Sequence, residues 1–495
     1  MEQPPSAART TCRGTGSGLQ ARGVAGGLLR AVHADRRTVC RCAVAVIVIG
    51  IVARVAWAAW IAHADPLAAR SPDTPGYVGP ARALLEAGRF SLSPQDPTPM
   101  FVRTPGYPAF LAAILWVTSS DWTISPIQAA TSAVTVAAVV LVGWRLIGRT
   151  AGLVAGALLV LDPLQFMASG TILTEGVASI AVAAIAVVGL LVFGRRHPRD
   201  VPVGAVFGLG ALVAVATMVR PTMWFYPAIL LVLLGIRFRD VPRRALVTRL
   251  LAFLIPILLV VGGWQVRNHS AVDSWQLSGA TGLLLYCSNG ARIEARTTGA
   301  TMRAVRQRLG CPTTGEDPDG DCTSTEGWTC RTPDPGASGQ GFDEWNRRGL
   351  EIMADHPAQA GRIMVEGMVR QVAGPGTDTV RHYVDVPALP PLVLGLFSWN
   401  ALLWALAGVG AAAGLRTGHR FYWAFVIATI GYVIVVSAGD AAGARYRVPI
   451  VPLLALLAAN GVQWSVRRLR SRGRHPASSP EFGTRDAEAV PSPSA

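Results

Sequence analysis

The chain has 495 residues, of which 51% are hydrophobic and 15% are charged, against about 25% charged in an average soluble domain. That balance excludes a disordered protein, a coiled coil and an ordinary soluble enzyme, and leaves an all-α polytopic membrane protein. The formal net charge of +15 is not the footprint of a nucleic-acid binder, because the excess sits between apolar segments.

Residues 1–42 carry seven arginines among Ser, Pro and Gly. They read as a disordered, basic cytoplasmic leader that can lie on anionic lipid. Ten apolar stretches follow, at about 43–62, 126–147, 151–167, 173–194, 201–219, 221–237, 245–265, 391–415, 420–438 and 447–464. Each is long enough, at about 17–25 residues, to be read as a span of a hydrocarbon core about 30 Å thick. The first is read as a retained helix and not a cleaved signal, because leader and apolar stretch are both too long.

Arginine placement sets the direction. The turns after the second, fourth, sixth and eighth spans hold Arg145 and Arg149, then Arg195 to Arg199, then Arg237 to Arg249, then Arg416 and Arg420; the tail opens with Arg467 and Arg468. With ten crossings these all fall on the cytoplasmic side, with both termini. An eleventh stretch, 107–117, is short for a span and reads as a re-entrant or interfacial helix. The expected organisation is therefore a leader, 1–42; an N-terminal membrane module, 43–265, with an outer loop at 63–125; an extracytoplasmic region, 266–390; C-terminal membrane helices, 391–465; and a disordered cytoplasmic tail, 466–495.

The outer segments hold the unusual sequence. Asp73 lies in a Pro- and Gly-rich turn, and Pro80 to Gly88 brackets a short surface helix in which Arg82 and Glu86 pair at i,i+4. As a bare spacing, Asp73 reads equally well as a solvated turn residue. Cys287, Cys311, Cys322 and Cys330 fall in the 266–390 region. In an oxidising compartment they make one or two disulfides whose pairing stays open, and they lack the CxxC knuckle of a structural zinc site. Acids and arginines gather at outer membrane ends: Arg103, Glu175, Arg220, Arg267, Asp440, Arg445 and Arg447. Arginines converging at one depth beside carboxylates suit a phosphate-bearing amphiphile.

These pieces resemble the GT-C glycosyltransferases, in particular enzymes similar to protein O-mannosyltransferases and lipid A aminoarabinose transferases of the glycosyltransferase family 39 kind. The resemblance is carried by Asp73…Tyr77…Ala81-Arg82-Ala83-Leu84-Leu85, by Arg103-Thr104-Pro105-Gly106-Tyr107-Pro108, by Leu173-Thr174-Glu175, by Trp264-Gln265-Val266-Arg267-Asn268, by Asp355-His356-Pro357 and by Arg445-Tyr446-Arg447-Val448-Pro449. It implies a GT-C bundle of about 10–11 transmembrane helices with interfacial helices in the first loop. It also implies a polyprenyl-phosphate sugar donor in the membrane lipid, and an extracytoplasmic glycan, lipid or protein acceptor. Asp73 would be the general base and Glu175 a second catalytic acid. Arg103, Arg220, Arg267 and Arg445 would bind the donor phosphate, and Tyr77, Tyr107 and Tyr446 would position substrate. The lone first-loop acid leaves a divalent cation open. Two other classes stand beside this reading: a transporter or flippase of a lipid-linked sugar, and a non-catalytic envelope assembly protein.

Overall fold

The computed structural model describes residues 36–64, 69–71, 73–311, 339–377, 379–380 and 390–472. The expectations for the leader before residue 36, for Cys322 and Cys330, and for the tail beyond 472 lie outside those residues. The described chain is helical, with one isolated bridge between Ser91 and Pro99.

The first half contains α1 (Arg36–Ala64), α2 (Pro75–Ala87), α3 (Gly106–Thr118), α4 (Ile124–Leu146), α5 (Arg149–Leu161), α6 (Pro163–Gly170), α7 (Thr174–Phe193), α8 (Val203–Val219) and α9 (Tyr226–Arg237). Next comes α10 (Arg243–Ile257), which runs through a π turn at Leu258–Gly262 into α11 (Gly263–Val272). The 266–390 region supplies α12 (Ala280–Gly282), a π stretch at Leu283–Gly290, α13 (Ala291–Thr298), α14 (Met302–Arg308), α15 (Gly339–Asp355) and α16 (Pro357–Ala373). The chain closes with α17 (Pro390–Leu415), α18 (Arg420–Val436) and α19 (Val451–Arg472).

All ten expected spans are helical, yet only six helices among the described residues are long and apolar enough to cross a membrane unaided. The stretch at 151–167 is two helices, α5 and α6, bent by 62° at Asp162. The break has a local cause: Asp162 takes an extended conformation, its side chain accepts from Gln165 N, and Pro163 opens the next helix. The stretches at 201–219, 221–237 and 420–438 settle as apolar helices of 17 residues or fewer. At 1.5 Å per residue they reach about 25 Å, short of the hydrocarbon thickness. The 107–117 stretch becomes α3, also short.

The longer helices pack by close backbone approach. On α17, a Cβ at Gly410 would fall 1.8 Å from Leu457 O, so the helices touch through bare backbone. Asn460 Nδ2 donates to Gly410 O across the same seam at 2.7 Å. A separate apolar cluster holds the first loop: Tyr77 and Ala81 of α2 and Tyr107 and Leu111 of α3 pack on Ile61, Leu173, Val177 and Val219. Leu111 is fully buried, and truncating it to Ala would cost about 2–5 kcal/mol. The first loop is thus part of the bundle and not a surface flap. The buried face of α2 runs through Tyr77, Pro80 and Ala81, while Leu85 stays exposed. Arg82 does not rely on Glu86: its Nη2 donates to both oxygens of Asp121 at 2.9 Å. Asp121 is held at the turn before α4 and offers a bidentate acceptor, which an i,i+4 partner does not.

In the outer region Cys287 and Cys311 form a disulfide that closes the π stretch onto the end of α14. The expected helix junction at His356 is present, with His356 between α15 and α16.

Candidate active site

Five segments far apart in sequence meet at one end of the bundle. Thr74 fixes the turn that bears Asp73: its Oγ1 accepts from Ser71 N at 2.8 Å and donates to Ile172 O at 3.2 Å. That bond ties the first loop to the start of α7, where Glu175 sits. Asp73 Oδ1 accepts from Arg103 Nη2 at 2.8 Å, and Asp73 Oδ2 lies 3.7 Å from Arg445 Nη2. Glu175 Oε1 lies 3.3 Å from Arg220 Nη1, which also donates to Thr174 Oγ1 at 3.2 Å.

The two ion pairs are joined by one ring. The guanidiniums of Arg220 and Arg445 both lie against Tyr446, 5.1 and 5.4 Å from its centroid. The chain of contacts therefore runs Arg103, Asp73, Arg445, Tyr446, Arg220, Glu175. Cations over a tyrosine face gain about 0.5–2 kcal/mol each, more as water is excluded. Three arginines stand against two carboxylates, which leaves one positive charge over. Arg445 is the open end, with 41% of its side chain exposed against 10% for Arg220.

Tyr77 accepts from Arg103 Nη1 at 3.0 Å and lies under the same guanidinium, 4.6 Å from its centroid. Burial pushes the Tyr77 phenol up to about 12, with Arg103 pulling against that shift. The hydroxyl therefore stays protonated at any physiological pH. Arg103 loses some basicity to burial, but Tyr77 and Asp73 outweigh this and leave its pKa raised.

Two residues from the expected set serve as supports. Tyr107 is fully buried; its hydroxyl donates to Gln128 Oε1 at 2.6 Å and its ring meets Tyr77 edge-on at 5.0 Å. Arg267 donates to Met100 O at 2.8 Å and to Phe90 O at 3.2 Å, and lies 4.8 Å from the Trp264 ring. Its donors thus fasten the first loop to α11. Arg447 makes a similar clamp, donating to Val372 O at 3.1 Å and Gly374 O at 3.2 Å at the end of α16. Cys287 and Cys311 lie in the outer region, in the apolar cluster around Tyr286 and Trp345.

A mostly apolar cavity of about 10 Å³, room for about one water molecule, lies beside Arg220. Ala178 and Val182 of α7, Ala216 of α8, Met223, Val433 of α18 and Pro449 line it, and Arg220 is the charged group in its wall. At the far end of α7 a different set of residues meets. Arg237 donates to Arg195 O at 2.6 Å, Arg249 Nη2 to Val201 O at 3.2 Å, and His419 Nδ1 lies 3.1 Å from Gly194 O. The turns expected to be cytoplasmic therefore gather about 30 Å from Glu175. Among the described residues no three His, Cys, Asp or Glu side chains converge. Asp73 and Glu175 each face arginine, so this donor set does not fit a divalent cation, and no step below runs through one.

No family model matches the chain, and no curated protein matches it. Its structure is similar to two solved structures of an archaeal oligosaccharyltransferase from Archaeoglobus fulgidus. One is described as AglB in complex with an inhibitory peptide and a dolichol-phosphate: TM-score 0.44, 12% identity, covering 88% of this chain and 52% of that one. The other is the apo form: TM-score 0.48, 12% identity, covering 87% and 52%. The chain spans about half the length of those proteins. A likeness this distant does not bear on what the site does.

Proposed function

We propose that the chain is a multi-pass membrane glycosyltransferase of the GT-C kind. It would move a sugar from a polyprenyl-phosphate donor to an acceptor hydroxyl on the extracytoplasmic side. The observation that carries this reading is the joined cluster of Asp73, Glu175 and three arginines. A lipid phosphate needs fixed cations for its headgroup, and this cluster supplies them.

The chemistry follows from the contacts. The acceptor hydroxyl attacks the anomeric carbon while the bond from that carbon to the phosphate oxygen breaks. A single displacement inverts the centre. Polyprenyl phosphate leaves as an anion, so the growing charge calls for Arg220 and Arg445 and no general acid. Asp73 takes the acceptor's proton on Oδ2. That oxygen is held by Arg445 through the longest contact of the cluster, 3.7 Å. A donor phosphate competes for the same exposed guanidinium. When Arg445 turns to the phosphate, Oδ2 is released toward the acceptor, while Arg103 keeps Oδ1 and the carboxylate's orientation. Glu175 holds Arg220 in register through the shared Thr174 hydroxyl.

Transfer of labelled sugar from polyprenyl phosphate by purified, detergent-solubilised protein tests the reading. Absence of transfer from any mannosyl, arabinosyl or glucosyl polyprenyl phosphate would overturn it. Orientation has its own test. A cysteine at exposed Glu86 should react with an impermeant thiol reagent on intact cells, and one at Ser471 should not.

A further inference from the structure

An open groove lies in the outer region, away from the ion-paired cluster. His269, Trp275, Gln276, Asp343, Asn346 and Arg347 line it. Its floor is built by a helix stop. Asp273 takes a left-handed conformation, φ 56°, ends α11 and donates its N–H to His269 O at 3.0 Å. A non-glycine residue accepts that conformation when something local repays it. Here the Asp273 carboxylate lies 3.5 Å from His269 Nδ1 and accepts from Gln340 Nε2 at 2.8 Å. The chain then doubles back and lays Trp275 on the His269 ring, with centroids 4.4 Å apart and planes 15° from parallel.

Trp275 is nonetheless 57% exposed. One face is braced and the other is open, on the floor of the groove. The polar groups around it are unbalanced. Gln276 Oε1 and Asn346 Oδ1 are buried with no hydrogen-bond partner in the structure. The Gln276 amide cannot simply be turned over, because its Nε2 already donates to Phe342 O and to Asp343 Oδ1. Asp343 Oδ1 also accepts from Ser274 Oγ at 2.8 Å. The Arg347 donors are taken up by Glu344 and Glu351. The groove therefore has two spare side-chain acceptors. A buried acceptor left unpaired costs about 1–3 kcal/mol, so a ligand with O–H donors gains here. A carbohydrate has such donors around a ring whose C–H face packs flat on an indole.

The groove is wired to the cluster. Two residues after Gln276, Ser278 Oγ donates to Val102 O at 2.5 Å, and Gly279 N donates to Phe101 O at 3.1 Å. Arg103, which grips Asp73, is the next residue. Phe342, beside Asp343, meets Phe101 edge-on at 5.6 Å. Counting residues, the path from Gln276 to Arg103 is about 25 Å at most.

We infer that this groove is a carbohydrate-binding site that holds a glycan acceptor on Trp275 and leads it toward Asp73. As an acceptor site it rests on the transfer reading above; as a carbohydrate site it does not. The test uses the full-length protein in detergent and a panel of neutral mannan, arabinan and glucan oligosaccharides, followed by isothermal titration and saturation-transfer NMR. At least one class should bind. Trp275→Ala should weaken that binding about tenfold or more, Trp275→Phe should retain most of it, and Asn346→Ala should weaken it by a smaller factor. Asp73→Asn should bind the sugar as the wild type does while failing in transfer. The inference is overturned if no class binds, if Trp275→Ala binds normally, or if a Ser/Thr-rich peptide occupies the groove in place of sugars. Wild-type transfer without oligosaccharide binding removes the groove and leaves the transferase. Binding through Trp275 without transfer removes the transferase and leaves the groove.

Discussion

Arginine and carboxylate are brought inside this protein twice, in different surroundings. At the helix break between α5 and α6, Arg54 has no exposed surface, and its Nη2 donates to Leu159 O at 2.8 Å and Val160 O at 3.1 Å. Asp162 gives one oxygen to Gln165 N–H at 2.9 Å and the other to Trp399 Nε1–H at 3.0 Å. These charges are spent on backbone groups and neutral donors. Around Asp73 and Glu175, the carboxylates face guanidiniums at 2.8, 3.3 and 3.7 Å, and the guanidiniums lean on tyrosines. A charge satisfied by the backbone belongs to the fold, because nothing that binds can replace the backbone. A charge satisfied by another side chain can change partners when a ligand arrives. The break, although it resembles the interrupted helices of transporters, is closed chemistry; the rim cluster is not.

Four variants break or sharpen that contrast. The largest effect belongs to Asp73→Asn, which keeps the shape and removes the proton acceptor. Transfer should fall by at least about 10²-fold with the unfolding midpoint unchanged. Wild-type turnover in this variant would take Asp73 out of the mechanism and transfer the role of base to Glu175. Asp162→Ala should do the opposite: about 3 kcal/mol lost in detergent unfolding, from the cap and from the charge left facing Arg54, with turnover per folded molecule preserved. A turnover loss at unchanged stability would make the break a working site. Arg220→Ala should weaken donor binding by about tenfold or more, since a charge-assisted bond contributes about 1.5–3 kcal/mol. Equilibrium binding of polyprenyl phosphate measures it, and unaltered affinity would remove Arg220 from the phosphate site. Tyr446→Leu should have the smallest effect, about fivefold in donor affinity from two lost cation–ring contacts, with Asp73 still paired to Arg103. A larger loss than for Arg220→Ala would mean that the ring touches the donor itself.

Much of the rim was legible because its members stand at the ends of apolar runs, where a charge is conspicuous. Asp73, Arg103, Glu175, Arg220 and Arg445 come together as their common sidedness predicts. Partners were harder to read. The acceptors of Arg267, Met100 O and Phe90 O, lie 167 and 177 residues earlier, a separation that hides them from local reading. Tyr446 is flanked by two arginines in sequence, yet its bond to Arg220 needs α8 and the turn before α19 to meet. Asp162 went unread because an apolar window of span length absorbs one acid; Asp162-Pro163 was the available sign of a cap and a fresh helix start. Three of the expected spans fold as helices at the short end of the spanning range.

The bond between Arg54 and the α5 carbonyls also bears on how the protein is made. Segments enter the membrane in the order of synthesis, and α1 precedes α5 by about a hundred residues. An arginine inside a span costs about 2.5–3.5 kcal/mol on insertion, and α1 carries that penalty alone until its partner arrives. The end of α5 has the matching problem, since its last carbonyls have no partner within their own helix. Each segment carries a local defect, and their pairing cancels both. Biogenesis of the N-terminal half is thus cooperative across two hairpins: a ribosome stalled before residue 160 should leave α1 loosely seated, and release of α5 should lock it.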